Sequence, residues 1–307
     1  MASLSRLKQE IQFNARLGGL LDALKSIAAQ QFQTLERTFR SNAAFFEAIE
    51  MIAGTLNLAQ LPHPFTQPEG PIGVIAVTSD TGLLGGLNQQ VVATAIAEYQ
   101  RSPGELIVIG ERGVSYVKEH GLSCRAFGGL TDRDRKTLAS QVREYALNQV
   151  LSGRLGALTI VYPRALSFTT QRIETVHALP CTAWFQGRPV SRGARVGPVL
   201  LESSVSATVE YLVWLWLGQK LCDIFGLSHL AELAARSVHL EGSSQELQRR
   251  GQKLLLRYFR ERHEVIDRNM RELFAARSLY GSASEDGEDD GVDRVSTSCH
   301  STDPVLR

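Results

Sequence analysis

The residues most suggestive of chemistry form a glycine-rich stretch that follows an apolar run. Residues 78–88 read T-S-D-T-G-L-L-G-G-L-N, after the β-branched run that begins at Ile72. A glycine-rich turn between a strand and a helix is where a Rossmann domain binds a phosphate, because backbone N–H groups point toward the ligand there. The stretch lacks G-x-G-x-x-G, and no lysine with a following serine or threonine comes after its last glycine. Two interpretations stay open: a structural turn, and a ligand-binding loop that uses Gly82 to Gly86.

The other residue types that build active sites and metal sites are scattered. None of the seven histidines has a second histidine four positions away with an acid between them, and the chain contains no G-x-S-x-G. Those patterns would indicate a zinc site and a hydrolase nucleophile. We therefore expect no metal, no cofactor and no catalytic residue. The four cysteines lack C-x-x-C spacing and indicate reduced thiols; they are Cys124, Cys181, Cys222 and Cys299.

Charge is divided between a basic segment and an acidic end. Residues 249–277 hold nine arginines and lysines against four acids, whereas residues 281–307 hold seven acids and two arginines. The basic segment fits an acidic partner, or a solvated face with pairs such as Glu264–Arg268 and Asp267–Arg271. Aromatic residues are sparse in it, which disfavours nucleic acid as the partner. Residues 281–307 lack apolar periodicity, so we expect a disordered acidic tail there.

Two long helical patterns must position these residues, one at each end of the sequence. Residues 205–280 contain no proline, and steps of four and three recur among them, which is the seam spacing of a coiled coil. Residues 4–56 show similar spacing, with a weak point at Gly18 and Gly19 because glycine lowers helix propensity. Each stripe needs a partner, so the two ends should pair. The later stripe is Leu247, Gly251, Leu254, Tyr258, Arg262, Val265, Asn269 and Leu273; the earlier one is Leu4, Leu7, Ile11, Leu17, Leu21, Leu24, Ala28, Phe32, Leu35, Phe39, Asn42, Phe45, Ile49, Ile52 and Leu56.

The middle of the chain alternates between strand and helix patterns. Such alternation predicts a Rossmann-like, three-layer α/β domain with a parallel sheet. Two further strands, at 167–176 and 181–185, are expected to add antiparallel at one edge. The whole division is an N-terminal coiled-coil helix (1–57), a linker (58–71), the α/β domain (72–186), a linker (187–204), a C-terminal coiled-coil helix (205–280) and the tail (281–307).

Neither export nor membrane insertion is expected from this sequence. Charged residues interrupt the apolar positions near the N-terminus, so no signal-peptide core is formed. The most apolar window, residues 211–217, is far shorter than the ~20 residues of a membrane-spanning helix. It reads as a buried helix.

Four stretches resemble the gamma subunit of F-type ATP synthases. That family carries S-D-x-G-L-C-G-G-x-N, which residues 79–88 match except that Leu84 replaces the cysteine. Residues 23–29 resemble its A-M-x-M-V-A-A, Glu232-x-x-Ala235-Arg236 resembles E-x-x-A-R-M, and Arg262-x-x-x-Ile266 resembles R-Q-x-x-I-T-x-E. The likeness covers about residues 1–280.

The resemblance implies a rotor shaft that is not itself catalytic. In the family, the terminal helices form an antiparallel coiled coil inside a ring of three alpha and three beta subunits. The α/β domain lies below, with epsilon and the membrane ring of c subunits. By position, the alpha–beta ring would contact Leu24, Lys25, Arg262, His263, Ile266, Asp267 and Arg268, and the c ring would contact Leu201 and Glu202. The motif loop would comprise Ser79, Asp80, Gly82, Leu83, Gly85, Gly86, Leu87 and Asn88.

Several positions depart from the family pattern. Gly19 and Asp22 replace lysines of its K-I-T-K-A-M, and residues 267–269 replace its threonine, glutamine and glutamate. These changes indicate a divergent member, for which a sodium-translocating F-type ATPase is one origin; the coupling ion stays open between proton and sodium. The resemblance also implies a peripheral position on the cytoplasmic side of the inner membrane. A nucleotide-binding α/β enzyme that uses the Gly82 to Gly86 loop is the alternative function.

Overall fold

The computed structural model describes residues 2–39, 42–55, 61–67, 70–130, 134–181 and 202–282. The chain divides into two compact units. The main unit is Ala15–Arg249, and the terminal unit comprises Met1–Asn14 and Arg250–Arg307. The predicted linker at 187–204 lies outside the described residues up to residue 201, and the predicted tail lies outside them from residue 283.

The N-terminal helical pattern forms two helices instead of the single one expected to residue 57. Helix α1 (Ala2–Thr38) ends early, and α2 (Ala43–Thr55) follows it. The Phe45 and Phe46 amides donate to the Asn42 carbonyl oxygen at 3.0 and 3.2 Å, so the chain restarts a helix there. The break places Ala53 in the core, whereas Ile52, which the spacing put in the stripe, is 45% exposed. Both halves are amphipathic, and a continuous pattern therefore hides the break.

Five strands form one sheet at the centre of the main unit. They are β1 (Ile72–Val77), β2 (Pro103–Ile109), β3 (Arg125–Phe127), β4 (Ala157–Ala165) and β5 (Gln171–Leu179). Their order is β3-β2-β1-β4-β5, with β5 antiparallel to β4 and the other pairs parallel. The parallel sheet and one antiparallel addition at its edge are thereby confirmed, although the strand expected at 167–176 begins at Gln171 and ends at Leu179. The further strand expected at 181–185 lies outside the described residues beyond Cys181.

Helices cover both faces of the sheet and give the predicted three layers. On one face lie α3 (Leu87–Arg101) and α4 (Glu111–Glu119). On the other lie α2, α5 (Arg135–Leu151) and the first part of α6 (Val205–Ser282). The sheet therefore rests directly on the helix that ends the described chain.

Strand β1 is buried on both faces, as its β-branched run predicts. Val74 and Ala76 pack with α3 and α4, whereas Ile75 and Val77 pack with α5 and α6. Successive side chains of a strand point to opposite faces, which explains the alternation. All four are 0% exposed, so this strand anchors both apolar clusters.

In the main unit, α1 and α6 lie side by side and run in opposite directions. Their apolar contact centres on Phe32, which is 5% exposed. The contacts show this direction, because residues with higher numbers on α1 contact residues with lower numbers on α6. The pairs are Gly18 with Leu247, Asp22 with Ser244, Lys25 with Glu241, and Phe32 with Leu233 and Ala234.

The terminal unit repeats this antiparallel packing. A Cβ atom added to Gly251 would lie 2.8 Å from Asn14 Nδ2, and Leu7 is 5% exposed. The predicted stripe is confirmed as far as Val265, although Glu261 is half-buried in place of Arg262. The half-buried positions are Gly251, Leu254, Tyr258, Glu261 and Val265, while Asn269 and Leu273 are exposed.

Residues 61–67 of the predicted linker pack against the core through a turn. The Thr66 amide donates to the His63 carbonyl oxygen at 2.9 Å and closes a turn. Phe65 within that turn is 1% exposed and belongs to the core that also includes α6.

Among the helices of the described residues, none is long and apolar enough to cross a membrane.

Candidate functional site

The glycine-rich loop satisfies its own polar groups at the end of β1. The Ser79 amide donates to Asn88 Oδ1 at 3.3 Å, and Asn88 Nδ2 donates back to Ser79 Oγ at 2.9 Å. Both residues are buried. Asp80 accepts a hydrogen bond from the Glu111 amide at 2.8 Å, which places its carboxylate at the N-terminus of α4. These side chains hold the loop in shape, which is the behaviour of a structural turn.

Two residues of the loop have left-handed backbone conformations. Gly85 has a φ of 60°, which costs glycine little because it lacks a Cβ atom. Leu83 has a φ of 66°, and its side chain is 49% exposed. An exposed leucine in this conformation gains little from burial that would offset its backbone strain. Leu83 is thus the strained and solvent-facing point of the loop.

The apolar side chains of the loop pack against α6. Leu84 and Leu87 are 5% and 7% exposed and form a cluster with Ala235. A Cβ atom added to Gly85 would lie 3.7 Å from His239 Nδ1, one turn further along the same helix. Leu84, which stands where the resembled family has cysteine, therefore faces into the protein. Gly82 and Gly86 face the side chains of Arg112 and Gln90.

A polar cluster joins the same loop to α6. Thr81 Oγ1 donates to Glu232 Oε1 at 3.0 Å, and one Arg236 nitrogen lies 2.5 Å from both oxygen atoms. His229 Nδ1 lies 3.6 Å from the other carboxylate oxygen of Glu232. Burial opposes ionisation of Glu232, but His229, the positive charge of Arg236 and the Thr81 hydroxyl together lower the pKa of its carboxyl. Glu232 is therefore a buried, paired carboxylate that fastens the loop to the helix.

Both stretches of this contact carry motifs of the resembled family, but neither motif predicts that the two stretches meet. The S-D-x-G-L motif contains Thr81 as its variable position, and the E-x-x-A-R motif supplies Glu232, Ala235 and Arg236. No sequence pattern indicates that His229 belongs to this cluster, since an isolated histidine on a helix is usually a surface or core residue. The spacing of Glu232 and Arg236 by four positions is the one indication that a paired cluster lies on that face.

Of the two predicted contact residues on α1, Lys25 forms an ion pair within the chain. Lys25 Nζ lies 2.7 Å from Glu241 and 3.4 Å from Asp22. The hydrogen bond to Glu241 is the main cause that raises the pKa of Lys25. Leu24 beside it is half-buried.

The other predicted contact residues occupy separate parts of α6. Arg262, His263, Asp267 and Arg268 are exposed on the terminal unit, and Ile266 is 45% exposed. His263 Nδ1 lies 2.7 Å from the carbonyl oxygen of Phe259 in the preceding turn. Glu202 is exposed just before α6 begins, and Leu201 lies outside the described residues.

A cavity of about 270 Å³ lies beside the loop. Leu84, Gly85, Gly86 and Leu87 form one wall, and Gln90 and His239 are among the polar residues around it. No arginine or lysine lies among its described lining residues. Phosphate sites depend on positive charge and converging N–H donors, and this wall is apolar instead.

Comparison with known proteins covers nearly the whole chain. A family model described as ATP synthase matches residues 3–278. The ATP synthase gamma chain of Clostridium pasteurianum is 23% identical over 278 residues, which are 89% of this chain and 96% of the relative. That of Chlorobium phaeobacteroides is 23% identical over 92% of this chain and the full length of the relative.

Solved structures share the fold. A chain in the Euglena gracilis mitochondrial ATP synthase OSCP/F1/c-ring structure is 14% identical, with a TM-score of 0.65 over 96% of this chain and 99% of that one. A chain in the rotor structure of the same organism gives a TM-score of 0.61 at 16% identity, over 86% of this chain and 99% of that one. Taken with the match over residues 3–278, the chain belongs to the ATP synthase family, whose gamma chains it resembles along its length.

Proposed function

We propose that this chain is the gamma subunit of an F-type ATP synthase and serves as its central rotor shaft. The observation that carries the proposal is the antiparallel pairing of the first and last helices. Lys25 with Glu241 marks it in the main unit, and Asn14 with Gly251 marks it in the terminal unit. Paired helices resist bending and twisting better than one helix does. Torque transmission requires that stiffness.

Coupling follows from contacts that differ with the angle of the shaft. An asymmetric rod inside a ring of three alpha and three beta subunits presents a different face to each beta subunit. Each angle then favours a different open or closed state, because a contact can shift an equilibrium only by its difference between states. Rotation thereby couples the flow of protons or sodium ions to the synthesis or hydrolysis of ATP. The chain contributes no catalytic residue to this reaction.

The contacts with the alpha–beta ring are assigned to two places. One is Leu24 and Lys25, where Lys25 already binds Glu241 and could exchange that partner for an acidic group of a beta subunit. The other is the exposed end of α6, where apolar side chains accompany the charges. That second set is Arg262, His263, Ile266, Asp267 and Arg268, with Met270, Leu273 and Phe274 exposed beyond it.

The residues just before α6 are assigned to the contact with the membrane sector. Glu202, with Leu201 before it, would contact the c ring, and the epsilon subunit would bind near the sheet domain. The six-segment division expected from the sequence, with its α/β domain of residues 72–186, is part of the same proposal, with two helices in place of one in its first segment. The complex is membrane-bound, and this subunit would lie peripherally on the cytoplasmic side of the inner membrane.

A nucleotide-binding enzyme is the less favoured function. Ser79 and Asn88 bind each other, Thr81 binds α6, and Leu84 fills the contact with Ala235. The polar groups that would bind a phosphate therefore already form hydrogen bonds within the chain. Calorimetry of the full chain with ATP and NAD should show no binding.

Reconstitution tests the proposed function. Purified alpha and beta subunits would be mixed with the full chain, and ATPase activity and co-elution would be measured. We expect the chain alone to be inactive and to co-elute with the other subunits in a complex whose ATPase exceeds theirs alone. A stable chain that binds neither subunit would contradict the proposal. A variant with Ile266→Asp and Phe274→Asp should fail to co-elute, whereas the exposed control Leu166→Asp on the β4–β5 turn should behave normally.

A further inference from the structure

Basic side chains form a stripe on the last part of α6, within the terminal unit. Residues 250–277 carry eight arginines and lysines against four acids. With 3.6 residues per turn, six of the eight fall within a sector of about 80° around the helix axis. We name these six the basic stripe: Arg250, Lys253, Arg257, Arg260, Arg268 and Arg271.

The basic stripe is almost without internal partners. All six side chains are exposed, and among the described residues an ion pair is formed by Arg257 alone, with Glu261 at 3.3 Å. The two pairs expected from sequence spacing, Glu264–Arg268 and Asp267–Arg271, are not formed. The stripe also lies beside the half-buried positions of α6 instead of among them. A concentrated positive charge is therefore presented to solvent.

We propose that the acidic tail of the same chain docks on the basic stripe through residues 283–307, the part that follows α6. The tail holds seven acids and two arginines, and six of the acids lie from Glu285 to Asp293 with no base among them. A block of like charge repels itself and binds surfaces of opposite charge. The two segments are complementary in sign and similar in magnitude, since residues 250–277 have an excess of four positive charges and the tail an excess of five negative ones.

The tail is long enough to reach the stripe. It starts where α6 ends, at Ser282. Arg271 lies about 16 Å back along the helix and Arg260 about 33 Å, at 1.5 Å per residue. An extended chain covers about 26 Å by Asp290 and about 36 Å by Asp293, at 3.3 Å per residue. Tethering also gives the tail a high effective concentration, so weak individual pairs suffice for docking.

A docked tail would regulate the binding of the shaft to the alpha–beta ring. Arg268 belongs both to the basic stripe and to the proposed contact with the alpha–beta ring. An acidic surface of a beta subunit would have to displace the tail before using that arginine. This consequence rests on the proposed function, whereas docking itself depends only on the chain.

The test is competition with a defined anionic probe. Fluorescein-labelled hexaglutamate would be titrated with the full chain at low salt, and anisotropy would be recorded. The tail variant carries Asp289→Asn, Asp290→Asn and Asp293→Asn. A control variant removes the same charge from exposed sites of the main unit, through Glu36→Gln, Glu111→Gln and Glu119→Gln. The control corrects for the change of net charge.

Docking predicts that the tail variant binds the probe at least about tenfold more tightly than the original chain, and the control within about twofold. Adding Arg268→Gln and Arg271→Gln to the tail variant should remove the gain. Equal affinities of the original chain and the tail variant would overturn the proposal, as would an equal gain in the control. The assay contains no alpha or beta subunit, so its failure is independent of the reconstitution result.

Discussion

The Thr81 hydroxyl donates a 3.0 Å hydrogen bond to the Glu232 carboxylate, across 151 positions of sequence. Arg236 donates to both residues and closes the triangle. Leu84 packs beside it on Ala235, so polar and apolar contacts together fix the loop to α6. A buried charge is stable only when it is paired, and the cluster therefore holds one geometry. In a shaft, this junction makes the sheet domain turn with the helix.

Replacing Thr81 tests the junction. Thr81→Val keeps the shape and removes the hydroxyl, which should lower the free energy of unfolding by about 1 kcal/mol, the usual contribution of one such hydrogen bond. Thr81→Ser retains the hydroxyl and should change it by less than about 0.5 kcal/mol. Urea unfolding of the two variants makes the comparison. Equal stability of Thr81→Val and the original chain would show that the bond does not hold the loop.

The lowered pKa of Glu232 predicts a dependence of stability on pH. A carboxyl whose pKa is lower in the folded state adds stability above its unfolded pKa and loses it as pH falls through the folded pKa. The free energy of unfolding should therefore drop on acidification below about 4.5, the ordinary value for this group. Glu232→Gln should be less stable at neutral pH, and its stability should fall less on acidification.

Urea unfolding at several acidic pH values measures both slopes. Glu119→Gln serves as the control, because Glu119 is an exposed carboxylate on α4 away from this cluster. Its slope should match that of the original chain. If Glu232→Gln showed the same acid slope as well, the assignment of the buried ion cluster to Glu232 would be wrong.

Gly19 on α1 should be replaceable with a gain in stability. No atom lies within 4 Å of a Cβ atom added there, and alanine exceeds glycine in helix propensity by about 1 kcal/mol. We expect Gly19→Ala to raise the free energy of unfolding by about 0.5–1 kcal/mol. Gly226→Ala on α6 is the control at a crowded helical glycine. The Cβ atom added there would collide with the Phe39 ring and lie 3.0 Å from the Arg135 side chain. It should destabilise the chain, and a gain there would contradict the packing described.

Leu83 should be a strained position at which asparagine is more stable than alanine. Its φ of 66° disfavours residues with an ordinary side chain, whereas asparagine tolerates this region. Leu83→Asn should therefore raise the free energy of unfolding by about 1 kcal/mol relative to Leu83→Ala, which keeps the strain. Thermal and urea unfolding of both variants measure the difference. A stable Leu83→Ala with an unstable Leu83→Asn would exclude strain at this point.

The sequence predicted the regular elements well where one periodicity dominated. Helix α3 follows β1 as the alternation of strand and helix patterns predicts, and β1 is buried on both faces as its β-branched run indicates. The stripe of α6 follows the expected steps to Val265. These features depend on local spacing, which a single sequence contains.

Features that depend on tertiary contact could not be read in the same way. The break after α1 leaves the amphipathic pattern intact, because both helices bury one face. The contact of Thr81 with Glu232 joins two distant stretches, and spacing within either stretch does not specify it. Lys25 likewise has no partner that its sequence position would indicate. The antiparallel register of α1 and α6 places Glu241 beside it.

Rotation of the chain can be observed in single complexes. A bead would be attached to the sheet domain of the full chain, in a complex with immobilised alpha and beta subunits, and followed during ATP hydrolysis. We expect stepwise rotation in one direction that stops when ATP is withdrawn. Hydrolysis by the assembled complex with a stationary bead, despite firm attachment to the chain, would contradict that expectation.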